Sequence, residues 1–257
     1  MRNKEIFWLR LAVVFGLALL LLIFILIDKN SEEESSGVPP IIVTANDSEN
    51  VPSSSGGDST EAIEEIPAYN GNPWVAVNGN VPYFTDSEIT TDSFESYSNL
   101  DALGRCGVCW ACIGEDLMPE AGETRGDISS VKPSGWVNAK YDFVSGGYVY
   151  NRCHLIGWQL TAENANRENL ITGTRYLNID GMLPFENLVA DYVMETGNHV
   201  MYRVTPDFYE DELVCRGVMM EGYSVEDNGE GISYCVYCYN VQPGVKINYV
   251  TGETTAE

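Results

Sequence analysis

The chain has 257 residues, with 38 acidic against 14 basic side chains and a net charge of -24. That balance excludes a nucleic-acid surface that is basic throughout, so a phosphate ligand would have to be met by a local group of arginines or a bound cation. Its 44% hydrophobic and 11% aromatic residues suffice for a packed domain, but their uneven distribution excludes a core along the whole length.

The first element is a membrane signal. Leu11 to Ile27 is an uninterrupted apolar run, lengthened upstream by Phe7, Trp8 and Leu9 around Arg10. It exceeds the roughly 7–15 residues of a signal-peptide core and approaches the ~20 that span a bilayer. No small-x-small cleavage site follows; the chain passes directly to Asp28-Lys29-Asn30. Arg2, Lys4 and Arg10 lie before or at the start of the run and Lys29 alone after it. This asymmetry predicts a cytoplasmic N-terminus over 1–6, a single-pass transmembrane signal-anchor over 7–27, and everything beyond outside the cell membrane. A cleaved secretory peptide is the alternative and exports the same domain. Residues 28–68 follow as an acidic disordered linker. From 31 to 68 there is no Lys or Arg, and runs such as Ser53-Ser54-Ser55-Gly56-Gly57 cannot offset their ordering entropy by burial. One extracellular domain then occupies 69–257.

Within the domain, Trp74 to Val77 reads as a short strand ahead of the Asn78-Gly79-Asn80 turn. Residues 92–103 read as a short helix, and 131–140, broken by Pro133 and Gly135, as a loop. Tyr141 to Val144 and Tyr148 to Tyr150 flank Ser145-Gly146-Gly147 and predict a hairpin. Leu155 to Leu160 leads into a polar loop, Thr161 to Arg167, and Leu170 to Thr172 is a short apolar segment. The clearest helix is Met182 to Glu195, with Pro184 at its start and Phe185, Val189, Val193 and Met194 at helical spacing. Asn198 to Val204 alternates like a strand. Leu213 to Met220 and Ile232 to Tyr239 read as two strands about the turn Glu226 to Gly231, and Val241 to Tyr249 closes the fold. The pattern is α+β: a β-rich core with few helices. Nothing in it specifies an oligomeric state.

The seven cysteines are Cys106, Cys109, Cys112, Cys153, Cys215, Cys235 and Cys238. Outside the membrane, disulfides are permitted. Opposed residues of an antiparallel pair keep a constant index sum, so if Glu221 faces Ile232, Cys215 faces Cys238 and a cross-strand disulfide forms. The C-x-x-C spacings at 106–109, 109–112 and 235–238 also resemble paired zinc knuckles. A redox role for Cys109 and Cys112 has the spacing but not the surrounding βαβ pattern. Buried inert thiols are the plain reading for the rest.

The chemistry concentrates at Tyr150-Asn151-Arg152-Cys153-His154. His154, one of two histidines, is a neutral base near pH 7 at the end of a predicted strand. Arg152, two residues earlier, shares its face and suits the charge of a phosphate. Cys153 points the other way, so a Cys153–His154 nucleophilic dyad is sterically poor. Asn169 and Asn178 offer neutral oxygens of the kind Mg²⁺ accepts, and Glu186 lies in the first turn of the predicted helix. Each has a plain alternative: a structural histidine, a surface ion pair, loop asparagines, a helix-dipole carboxylate.

Their joint spacing resembles the DNA/RNA non-specific endonucleases with a ββα-metal finger, of the bacterial DNA-entry nuclease type. Asn151-Arg152-Cys153-His154 stands where that family has Asp-Arg-Gly-His. Asn178 is followed by Glu186 at the family's spacing, and Asn169 precedes Asn178 by nine residues as in the entry-nuclease type. The likeness continues through Asn187-Leu188-Val189, Arg203-Val204-Thr205 and Asn240 to Gly244, over roughly Asn72 to Glu253. It departs at Asn151, which cannot carry the family's charge, and at Cys153.

The resemblance implies a ββα-metal finger on an antiparallel β-sheet core and a membrane-anchored, extracellular, metal-dependent endonuclease. Its substrate is DNA and also RNA, without sequence specificity. Asn178, with Glu186, is implied to hold Mg²⁺ (or Mn²⁺) against the phosphate and the leaving 3′ oxygen. His154 is implied to take a proton from water, Arg152 to steady the phosphate, Glu186 and Asn169 to orient metal-bound water or His154, and Arg175 to touch the backbone. A surface nucleic-acid-binding module weakened at Asn151 and Cys153, and a cysteine- or zinc-stabilised surface protein, are the alternative readings.

Overall fold

In three segments, Val200, Tyr202 and Val204, Val218 and Met220, and Tyr234, Val236 and Cys238 fall at every second residue and share one core, while Cys235 and Tyr237 are buried in a second cluster, the pattern of strands covered on both faces by different partners. In the computed structural model, which describes residues 66–137 and 139–257, these segments form the middle of a six-stranded sheet. The expected cytoplasmic end, membrane anchor and nearly all of the acidic linker lie outside the described residues. Among the described residues no helix is long and apolar enough to cross a membrane.

The strands are β1 (Trp74–Ala76), β2 (Phe94–Tyr97), β3 (Cys109–Ile113), β6 (Val200–Asp207), β7 (Gly217–Ser224) and β8 (Ser233–Tyr239), in the order β1-β8-β7-β6-β3-β2 with every pair antiparallel. A separate antiparallel pair, β4 (Tyr150–His154) and β5 (Leu170–Thr174), sets Tyr150 opposite Thr174 and His154 opposite Leu170. A third pair, β9 (Val245–Ile247) and β10 (Thr254–Ala256), ends the chain. Between β4 and β5 runs a short helix, α1 (Trp158–Thr161). After β5 the chain turns helical at Arg175, widens into a π-helical stretch over Leu177–Met182, and continues as α2 (Leu183–Thr196). Pro184 has no N–H to give a carbonyl one turn earlier, which accounts for the irregular start of α2. Gly197 closes it in the left-handed region at φ 69.

The core lies between α2 and one face of the large sheet. Phe185, Val189, Ala190 and Val193 meet Tyr202, Val204, Val218, Met220, Tyr234, Val236 and Cys238. The finger is fastened to the sheet by buried Asn240. Its Oδ1 accepts from Thr174 N (2.8 Å), and its Nδ2 donates to Thr172 O (3.1 Å) and Cys215 O (2.9 Å). On the opposite face Arg203 and Glu221, directly paired across β6 and β7, form a bidentate ion pair at 2.7 and 2.9 Å. The segment Tyr83 to Glu88 covers that pair. Tyr83 N donates to Glu221 (2.7 Å), Glu88 accepts from Arg203 (3.0 Å), and Phe84 lies under the guanidinium at 4.5 Å.

Several expectations need correction. Residues 92–103 hold strand β2 rather than a helix; Phe94 and Tyr97 are packed half-buried while Glu95 and Ser96 face out, and the Phe94 ring meets the Trp110 edge at 4.7 Å. The predicted hairpin at 141–150 is a run of turns. Gly146 and Gly147 both take φ 78, and Val144 N and Gly147 N close consecutive turns, leaving one isolated bridge between Lys140 and Tyr148. Tyr150 instead begins β4, whose partner is β5.

The register assumed for the last hairpin is off by three. Glu221 stands opposite Cys235 and Cys238 opposite Val218. Asp227 sets this: it bonds the Ser224 hydroxyl and Gly231 N, so that Ser224 N meets Ile232 O and the loop takes up the intervening residues. Cys215 precedes β7, and Cys215 and Cys238 are both free thiols rather than a disulfide. Cys106, Cys109, Cys112, Cys153, Cys215 and Cys238 are free thiols, and all seven cysteines are buried. Among the described residues no group of three or more His, Cys, Asp or Glu is placed to hold a metal ion, so no zinc knuckle assembles there. Burial pushes the Cys106, Cys112 and Cys215 thiols up to about 12, which keeps them protonated and unreactive.

Candidate active site

His154 ends β4 and is nearly buried at 4% exposure. Its Nε2 lies 2.8 Å from the carbonyl oxygen of Asn164, which can only accept, so the proton sits on Nε2. That leaves the lone pair on Nδ1, 2.6 Å from Nη2 of Arg125, which can only donate. The ring is thus a neutral imidazole in one defined tautomer, with Nδ1 as its proton-accepting atom. Burial lowers its pKa to about 4, and the nearby Arg125 charge adds to the shift.

Cys153, adjacent on the strand, points away from this site. Its Sγ donates to Asn178 Oδ1 at 3.0 Å and contacts Met182 Sδ at 3.5 Å. Burial raises this thiol well above its ordinary value. It is a hydrogen-bond donor that holds the Asn178 amide, and the dyad disfavoured by strand alternation is absent.

Asn178 sits in the π-helical stretch and faces a cleft of about 600 Å³. Glu186, half-buried in the first turn of α2, packs against Gly157, where even a Cβ would come within 2.8 Å of its carboxyl group. Loss of water raises the Glu186 carboxyl to about 7, and the Arg125 charge pulls against that rise. Asn178 offers an amide oxygen to an open polar cleft and Glu186 a carboxyl near Arg125, donors of the kind suited to a hard cation that keeps most of its water. The residues present therefore fit a hydrated divalent ion.

Arg152, Arg175 and Arg125 line the same cleft with Asn151, Asn178 and Trp136. Arg152 is held by Val131 O (2.5 Å) and Ser129 O (2.8 Å), with its guanidinium 4.3 Å from the Trp136 ring centre. Arg175 opens the helical segment instead of lying in a loop, and its N–H meets Val149 O at 2.7 Å. Among the described residues the arginines in salt bridges are Arg105, Arg203 and Arg216, all elsewhere. No carboxylate lies within salt-bridge distance of Arg125, Arg152 or Arg175 there. The one carboxylate in the cleft lining, Asp127, is turned to Ser129 N and Oγ. Three unneutralised guanidinium groups in a chain of net charge -24 make a local anion site.

The structure thus gathers Arg152, Arg175 and Asn178 around one cleft, with His154 and Glu186 just behind Arg125. Asn169 does not join them. It is fully buried, its Oδ1 accepts from Ile156 N (2.8 Å) and its Nδ2 donates to Ile156 O (3.0 Å). Both ends of the amide are used to clamp the chain just after His154, so the expected contact with metal-bound water is replaced by a positioning role. The remaining histidine, His199, pairs with Glu226 at 2.6 Å away from this group.

Arg125 and Asn164 were not singled out in the sequence. Arg125 lies 29 residues before His154 in a segment without regular structure, and no spacing rule links them. Asn164 acts through its backbone carbonyl, which any residue type supplies, while its Oδ1 accepts from Gly126 N at 2.6 Å and docks the Arg125 segment.

The family model for DNA/RNA non-specific endonucleases matches residues 84–226, a span that contains Arg125, His154, Asn178 and Glu186. No curated protein matches the chain. Among solved structures, NucA from Streptococcus agalactiae with magnesium ion bound is similar at 24% identity and a TM-score of 0.66, covering 76% of this chain and 92% of that one. Sda1 nuclease with bound zinc ion is similar at 23% identity and a TM-score of 0.60, covering 72% and 97%. At these identities the likeness establishes a shared fold.

Proposed function

This chain belongs to the DNA/RNA non-specific endonuclease family, and on that premise we propose that it hydrolyses phosphodiester bonds of DNA and RNA outside the cell, tethered by its N-terminal apolar segment. The observation that carries the reading is the neutral His154 with Nδ1 turned to a cleft of three unpaired arginines. A general base needs a lone pair and a phosphate needs cations, and Arg125, which lines the cleft and covers Nδ1, joins the two.

In the proposed reaction, Arg152 and Arg175 hold the non-bridging oxygens of the scissile phosphate, and Arg125 turns from Nδ1 to join them. His154 Nδ1 then accepts a proton from the water that attacks phosphorus. The imidazolium so formed keeps its Nε2–H on the Asn164 carbonyl, which steadies the ring and its charge. The bond to the 3′ oxygen breaks, that oxygen takes a proton from solvent water, and the imidazolium returns its proton to solvent, leaving a 5′-phosphate, a 3′-hydroxyl and neutral His154. Asn178, with Glu186, would hold a hydrated Mg²⁺, which supplies positive charge to the phosphate and the leaving oxygen. No base edge enters the scheme, so cleavage is insensitive to sequence.

The test is digestion of plasmid DNA and of RNA by the purified protein with Mg²⁺ and with a chelator. Cleavage that needs the metal supports the reading; intact nucleic acid with Mg²⁺ present overturns it, and binding without cleavage would identify a non-catalytic module. The Cys153–Asn178 bond gives a narrower expectation. Cys153→Ala removes a net hydrogen bond of about 0.5–1.5 kcal/mol. The Mg²⁺ concentration for half-maximal cleavage should rise about two- to tenfold, with little change at saturating metal. An unchanged metal titration would show that Cys153 does not position Asn178.

A further inference from the structure

The cleft is wider than a phosphodiester needs, and one of its walls is aromatic. Trp136, Tyr148 and Tyr150 line it beside Arg152 and Arg175. Tyr148 is 41% exposed, and Lys140 lies over it with Nζ 4.3 Å from the ring centre. The isolated bridge between Lys140 and Tyr148 fixes that pair at the base of a turn. Trp136 carries Arg152 in the same way, 4.3 Å from its ring. Rings alternating with cations along a groove are the arrangement that binds single strands: cations follow the backbone while bases stack on the rings. A further observation points to a ligand at this wall. Nδ2 of Asn151 is buried, faces no acceptor among the described residues, and belongs to a cleft-lining residue. On a cleft-lining residue, a donor of this kind is open to an oxygen or ring nitrogen that a bound ligand brings.

Resting on the nuclease reading above, we propose that the wall formed by Trp136 and Tyr148, with Lys140 against the Tyr148 ring from outside the cleft, receives an unpaired nucleobase beside the scissile phosphate, so that single-stranded or locally opened nucleic acid is the preferred substrate. In an intact duplex both faces of each base are stacked on neighbours and cannot reach Tyr148. In a single strand the base next to the phosphate held by Arg152 swings onto the open face of Tyr148, with Lys140 behind the ring. Asn151 Nδ2 then donates to that nucleotide.

The test is fluorescence anisotropy with the full chain carrying His154→Ala, in Mg²⁺, on three labelled probes: an oligothymidylate, an abasic sugar-phosphate of equal length, and a hairpin duplex. The oligothymidylate should bind about tenfold more tightly than the abasic strand and more tightly than the duplex. Tyr148→Ala should remove the difference between the base-bearing and abasic strands, and Tyr148→Phe should keep it. Equal binding of the two strands, or discrimination that survives Tyr148→Ala, would overturn the proposal, as would a duplex bound as well as the oligothymidylate. The failures are separable. If the His154-containing protein cuts none of these substrates, the nuclease reading falls; if it cuts all of them without regard to bases or strandedness, only the stacking wall falls.

Discussion

Alanine at position 154 is expected to slow phosphodiester cleavage by about 10²–10⁴-fold, the usual contribution of a positioned general base. His154 is the acceptor whose tautomer the fold defines, by Nε2 on the Asn164 carbonyl and Nδ1 toward Arg125. A variant that digests DNA as fast as the natural chain would remove His154 from the mechanism. The pH profile gives an independent check. Burial, with Arg125 adding, lowers the His154 pKa to about 4. Protonation occupies the lone pair, so activity is present above that value and lost as pH falls through it. The acidic limb of kcat/KM should therefore lie near 4 and not near 6.5, measured at saturating Mg²⁺. A limb between 6 and 7 that persists in Glu186→Gln, whose carboxyl is otherwise raised to about 7, would show that His154 is solvated during the reaction. The same shift bears on stability. Between about 6.5 and 4 the unfolded chain binds a proton on this residue that the folded chain does not, so His154 lowers stability as pH falls through that window. Circular dichroism across the same range separates loss of the base from loss of the fold.

The largest expected loss of stability comes from the face of the sheet away from the core helix. Glu221 is fully buried and accepts a bidentate pair from Arg203 together with Tyr83 N. Arg203→Ala leaves that carboxylate in a dry site with one backbone donor. Breaking a buried pair from one side costs about 3–5 kcal/mol. For a domain of this size that lowers Tm by about 6–20 °C. The double variant Arg203→Leu, Glu221→Leu should recover much of the loss, because it removes the stranded charge as well as its partner. Scanning calorimetry decides between these outcomes, and a shift of Arg203→Ala below about 2 °C would show that water reaches Glu221.

The two substitutions that set this chain apart from its family's tetrapeptide have different consequences. Cys153 fills the space beside Gly173, where a Cβ would come within 2.5 Å of its own Cβ, so the cysteine is accommodated by a glycine on the neighbouring strand. Its thiol then becomes the donor that holds Asn178. Asn151 brings an amide where the family has a carboxylate. This removes a negative charge from the wall of a phosphate site and presents a donor, Nδ2, that no described residue satisfies.

Much of this was determined by the sequence on its own. Helix α2 is legible because Phe185, Val189 and Val193 recur at its period, β6 because Asn198 to Val204 alternates, and β7 and β8 because two strand-like segments flank the turn Glu226 to Gly231, although β7 runs four residues later than the sequence places it. His154, Arg152, Asn178 and Glu186 were legible because a local spacing carries them, all within one hairpin and the helix after it. Local periodicity and short spacings survive in one dimension.

The rest was decided only by the tertiary structure. The register of β7 and β8 depends on how much chain the Asp227-bonded loop consumes, and an error of three residues there was enough to invent a disulfide. The residues at 92–103 became a strand because β3 offers them an edge, which no local propensity could report. The spacing of Asn169 points to a residue that orients metal-bound water or His154, but its amide is spent on the backbone of Ile156. Arg125, the residue that touches His154 Nδ1, lies in a segment with no pattern and is held there by Asn164, which accepts from Gly126 N. Contacts between residues far apart in the chain are set by packing and by which buried polar groups find partners, and neither is written in any local stretch of the sequence.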